Sequence, residues 1–151
     1  MIIEQELCRK LVAIFSSALP NVEVEGNWLP EEDGGFKGEE IPQGSRLSVR
    51  VSQRAYTSYT DKVAEFKVLL EGTLRVEEDT DGSKTFICCS KILNVMTGWQ
   101  NDIASVKRDL SLEKFDPVGY KMDENGDLDI DRETLTRTYN QSFTIKGRIR
   151  K

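Results

Sequence analysis

From Thr134 to Ile149 the chain alternates. Leu135, Tyr139, Phe143, Ile145 and Ile149 fall on odd positions, while Thr134, Thr136, Thr138, Asn140, Ser142, Thr144, Lys146 and Arg148 fall on even ones. Strand side chains point to opposite faces in turn, so this segment predicts a strand with one apolar and one wet face. Such a strand requires a sheet covered on one side, the usual state of an antiparallel sheet. Two other segments carry the same pattern. Leu47, Val49 and Val51 alternate with Ser48, Arg50 and Ser52, and Ala64, Phe66, Val68, Leu70, Leu74 and Val76 share one parity. Gly72 falls in that second run and predicts a bulge or bend. Val22–Glu25 and Phe115–Met122 complete the expected strands.

Helices must cover the apolar face. Ile3, Leu7, Leu11, Ile14 and Ala18 form a stripe at helical spacing, thickened by Phe15 and Leu19, and Pro20 stops it. A turn, Glu77–Ser83, ends in capping residues and leads into a second helix bearing Phe86, Ile87, Cys89, Ile92, Leu93, Val95 and Met96. Gly98 predicts its C-terminal cap, with Trp99 folding back onto the core. Asn101–Lys114 reads as a short helix or an irregular segment. Asn125-Gly126 predicts a hairpin turn within Asp123–Asp127. The expected fold is therefore α+β, a mainly antiparallel sheet with two helices on one face in the order α-β-β-β-α-β-β. At 151 residues the chain is expected to form a single domain. It carries a long acidic loop at about residues 29–45 and a C-terminal hairpin at about 115–150.

Composition narrows the function. There is no histidine, which removes Ser-His-Asp and Cys-His chemistry and His-ligated zinc, so no catalytic residue, metal or cofactor is assigned. The 21 basic and 26 acidic residues leave a net charge of −5, the wrong sign for a dedicated nucleic-acid binder. Cys8 stands alone and Cys88 and Cys89 are adjacent, a poor basis for a disulfide scaffold and a better fit to a reduced, intracellular environment. The acidic N-terminus does not resemble a signal peptide, and no apolar run reaches membrane-span length. Asp123–Asp131 places oxygen donors at alternate positions, but Leu128 and Thr134 stand where a calcium loop needs glycine and a bidentate acid.

Charge is segregated along the chain. Glu23–Glu40 holds seven acids and one lysine, Asp123–Glu133 six acids and one arginine, and Arg137–Lys151 five bases and no acid. Blocks of opposite sign permit head-to-tail contact between copies, a geometry that closes into rings. Phe36 and Ile41, the large apolar residues of the acidic loop, and Lys146, Arg148 and Arg150 are the contact candidates.

The order of elements and the strand texture resemble the lambda-like tail-terminator (tail-completion) proteins of long-tailed bacteriophages. The resemblance lies in the opening helix Ile3–Leu19 and in a long loop leading to Arg46–Val51. It continues in the strand Ala64–Leu70, which feeds through a capped turn into a helix, and in the closing segment Tyr139–Ile145. It implies a structural protein of the virion, assembled in the bacterial cytoplasm. Such a protein forms a hexameric homo-oligomer ring on the head-proximal end of the tail tube, stops tube polymerisation and meets the head–tail connector proteins. Six copies would carry a charge of roughly −30, which suits a lumen that lets DNA slide. The alternatives are another neck component (a head–tail adaptor or stopper), a host binding module using the acidic hairpin for calcium or protein, and a carboxylate-dependent enzyme.

Overall fold

The computed structural model describes residues 3–27, 45–58, 62–123 and 128–150. Helix α1 (Ile3–Ala18) is followed by strands β1 (Val22–Asn27), β2 (Ser45–Ser58) and β3 (Val63–Arg75), then a 3₁₀ turn at Val76–Glu78. Helices α2 (Ser83–Gln100) and α3 (Ile103–Leu110) come next, and strands β4 (Phe115–Met122), β5 (Leu128–Asp131) and β6 (Thr136–Ile149) close the chain. The sheet order is β1-β2-β3-β6-β4, with β5 also on β6. β1 and β2 are parallel, and every other pairing is antiparallel. The α+β architecture read from the sequence therefore holds, with α3 resolving the Asn101–Lys114 ambiguity as a helix.

The alternation decides which face is covered. Leu47, Val49, Val51, Ala64, Phe66, Val68, Leu70, Tyr139, Phe143 and Ile145 are buried beneath the helices. α1 lays Leu7, Cys8, Leu11 and Phe15 onto this face from one end. α2 contributes Ile92, Met96 and Trp99, and α3 contributes Val106 and Leu110. Trp99 joins these layers. Its ring meets Phe15, Tyr120 and Phe143 edge-on at centroid distances of 6.1, 5.8 and 5.6 Å, and its Nε1 donates to Asp109 Oδ2 at 2.9 Å. Edge-to-face pairs of this kind add about 0.5–1.5 kcal/mol each beyond area burial.

Four local expectations are corrected. Gly72 makes no bulge: β3 pairs with β6 without a register break from Val63↔Arg148 to Arg75↔Thr136. The glycine is there because the Tyr139 ring, on the opposed residue of β6, lies over its backbone, so that a Cβ would fall inside the ring. The register shifts occur instead at Gln53/Ala55 and Tyr56/Ser58 in β2 and at Pro117/Gly119 in β4. α2 does not end at Gly98 but runs on to Gln100, with Trp99 buried in its last turn. β4 and β5 both run antiparallel to β6 and occupy one edge in tandem, so the chain reverses at Arg132–Leu135 rather than at Asn125-Gly126, which lies outside the described residues. Asp131 Oδ1 caps that reversal by accepting from Glu133 and Thr134 amides, and Leu135 closes it at φ 55°. Leu135 is consequently 62% exposed and does not belong to the apolar face of β6.

The two glycines give opposite expectations in one assay. Gly72→Ala forces methyl and phenol ring into one space and should lower stability by about 1–3 kcal/mol. Gly98→Ala meets nothing within 4 Å in an exposed helical position and should raise stability by about 0.5–1 kcal/mol. Urea midpoints at constant slope check both signs.

Candidate functional site

The polar groups of the chain first have structural work. Asp79, with a buried side chain, precedes α2 and accepts from Lys84 N and Thr85 N at 3.0 Å each and from Thr85 Oγ1 at 2.6 Å. It thus satisfies amides that a helix start leaves open, which Gly82, the residue before the helix, cannot do with a side chain. Arg137 of β6 donates to the carbonyls of Asp79 and Thr80 at 2.7 and 2.8 Å, pinning the turn to the sheet. Burial of Asp79 opposes ionisation, but the Thr85 hydroxyl, the two amides and Arg137 outweigh it and hold the carboxyl below its ordinary value.

The uncovered sheet face is a polar field. Register places Arg46 beside Thr73, Ser48 beside Glu71, Arg50 beside Leu69 and Glu65 beside Lys146. Its ion pairs, Arg46 with Glu23 at 3.1 Å and Glu25 at 3.9 Å, are partly solvated and contribute little to stability. Of the contact candidates, Lys146, Arg148 and Arg150 gather at the far end of β6, where Arg150 Nη2 lies 3.5 Å from Asp116 Oδ1. The acids of β5 pair with the opposite end, at Thr136 and Thr138. Twelve residues of strand separate Thr136 from Arg148, roughly 40 Å. Phe36 and Ile41 lie outside the described residues.

Sequence reading missed the apolar residues of α2 that face outward. Phe86 is 61% exposed, and Ile87 and Leu93 are also exposed, as are Leu128 and Ile130 on β5. The available signal was their spread around the helix, wider than one buried stripe requires. Beside Ile87 a groove of about 500 Å³ runs between α2 and the first strands, lined by Leu19, Val22, Ser45, Leu74, Ile87 and Cys88 with Lys84 and Lys91 at its side. Burial pushes the Cys88 thiol up, and it pushes the Tyr139 phenol well above its ordinary value, so both stay neutral at physiological pH. Among the described residues, no three His, Cys, Asp or Glu side chains converge on a metal-sized site, and no helix is long and apolar enough to cross a membrane.

The described part of the sheet edge made by β4 and β5 has three of its backbone positions unavailable to an added strand. Gln100 Oε1 accepts from Met122 N at 3.0 Å, Asp129 Oδ1 accepts from Ile130 N at 2.8 Å, and Pro117 has no N–H to offer. Each of these takes away a backbone donor that an added strand would use.

No family model and no curated protein matches the chain. Among solved structures, it is similar to a chain from the virion of a native gene transfer agent (GTA) particle. That similarity has a TM-score of 0.54 at 12% identity and covers 96% of this chain and 91% of the other. At this identity it is the fold that the two share.

Asp79→Ala should cost about 2 kcal/mol, combining a lost helix cap with unpaired polar groups. The pH dependence has a fixed sign. An unfolded Asp titrates near about 3.9, and the folded carboxyl binds its proton more weakly, so the contribution of Asp79 is complete well above that value and is lost as pH falls below it through the lower folded value. Asp79→Asn should therefore flatten the acid limb of stability against pH, measured by urea unfolding between about pH 5 and 2.

Proposed function

We propose that this chain is a structural component of a phage or phage-like particle, located in the virion and assembled in the host cytoplasm. In the finer reading it forms a homo-oligomeric ring, expected to be hexameric, on the head-proximal end of the tail tube. The ring ends tube polymerisation and presents a surface to the head–tail connector proteins. The protein does this by fitting against other proteins and not by transforming a substrate.

The observation that carries the reading is the near end-to-end fold similarity to a chain of a gene transfer agent virion. The surfaces support it. A rigid sheet carries a basic corner and an acidic edge at opposite ends of one strand, and large apolar side chains stand in solvent where a monomer has no use for them. The net charge of −5 adds no attraction for DNA passing through a ring.

Addition of the purified protein to polymerising tail-tube protein from the same genome tests the reading. It should arrest growth well below one copy per tube subunit, because only tube ends are occupied, and electron microscopy should show shorter tubes capped at one end. Tubes that grow to the same length distribution with and without the protein would contradict it.

A further inference from the structure

The groove between α2 and β1 opens on the helix side of the sheet, at the end where α1 stops. Ser45 shares its parity with the buried Leu47 and Val49, and it pairs with Val22 at the start of β1. Leu19, Val22 and Leu74 give the groove an apolar floor, and Ile87, 51% exposed, stands on its α2 side. The charged residues of the lining are two lysines, Lys84 and Lys91, against one acid, Glu78. At about 500 Å³ it lies within the range of ligand-sized pockets, roughly 300–1,000 Å³, and has room for several side chains.

The chain itself returns to the rim of this groove. β1 and β2 are parallel, so the backbone leaves β1 at Asn27, beside Arg50, and enters β2 at Ser45, beside Val22. Ser45 is part of the groove lining. Ile41 is the large apolar residue of the intervening segment nearest to Ser45 in sequence. Four residues of chain join the two, so their Cα atoms lie no farther apart than roughly 14 Å. Glu39 and Glu40 directly precede Ile41, and residues 28–44 as a whole hold five acids and one lysine. That balance is opposite in sign to the groove.

We infer that Ile41 of the same chain seats in the α2–β1 groove, with Glu39 and Glu40 against Lys84 and Lys91. Three observations single out this occupant. An aliphatic side chain suits an apolar floor, the acids beside it suit the two lysines, and the covalent link through Ser45 holds both at the rim. A short link gives an effective concentration on the order of millimolar, so a contact too weak to hold a separate molecule suffices here. The contact belongs to the single subunit and is independent of the tail-tube reading.

Methyl NMR on the full chain, with isoleucine, leucine and valine methyl groups labelled, tests this. NOEs should run from the Ile41 methyls to those of Leu19, Val22 or Leu74 and stay equally strong over a ten-fold dilution. In a mixture of labelled and unlabelled chains, NOEs filtered for contacts between copies should be absent at these methyls. Ile41→Ser should shift the Leu19, Val22 and Leu74 resonances and leave those of Val106 and Leu110 in place. Lys84 and Lys91 are exposed, and Lys84→Glu with Lys91→Glu should weaken the NOEs at least five-fold at low salt. Adding Glu39→Lys with Glu40→Lys to that variant should restore them. Circular dichroism and thermal melting check each fold. If the lysine variant melts early, Glu39→Lys with Glu40→Lys alone replaces it, since it leaves every groove residue in place and should weaken the NOEs equally. An Ile41 methyl without NOEs to the groove, NOEs that fade on dilution or pass the filter between copies, NOEs unchanged by charge reversal, or a double reversal that fails to restore them would each overturn the inference. Failure of the tail reading looks different: these NOEs would stand while tube growth went unaffected.

Discussion

The uninterrupted pairing of β3 with β6 is the constraint on which the rest depends. Thirteen residues of β3, Val63–Arg75, find partners along β6 without a slip. A one-residue shift would turn every buried side chain to the solvent face. Three features hold the register: Tyr139 over Gly72, Phe143 opposite Val68, and Ile145 opposite Phe66. Once β6 is fixed, everything attached to it is placed. Arg137 anchors the turn before α2, β4 and β5 line its outer edge, and the cations Lys146 and Arg148 are carried to one end.

From this frame the outer surfaces follow. α2 lies over β6 with Trp99 inserted among Phe15, Tyr120 and Phe143, so its rotation about its own axis is set by the core. That rotation leaves Phe86 and Leu93 on one flank and Ile87 with Lys84 and Lys91 on the other. The same packing that stabilises the subunit thus aims its unburied apolar residues. The core residues are buried and these flank residues are exposed, so the flanks can be substituted with little effect on the core.

Much of this was legible in the chain. Strict alternation in β2, β3 and β6 and the four-four-three stripe of α1 gave element type and buried face, because both patterns are set by simple geometry. The misreadings arose where a residue has two uses. Gly72 marks a ring on a neighbouring strand some sixty-seven positions later, and only the pairing register reveals it. Asn125-Gly126 is a strong hairpin signal, yet β6 offered an edge long enough for β4 and β5 in tandem, and the reversal moved to Arg132–Leu135. Charge blocks were visible in sequence, but their placement at opposite ends of β6 was not. Which apolar residues of α2 face outward was not legible, because a helix rich in apolar residues on several sides does not declare which of them the sheet will take.

The central claim is that this protein acts at a defined place in a particle through the surfaces its sheet and helices fix. Immunogold electron microscopy of particles produced from the encoding genome tests it most directly. The account predicts label confined to the junction of tail and head, at one site per particle. Label distributed along the tail, or particles that carry none of the protein, would contradict it.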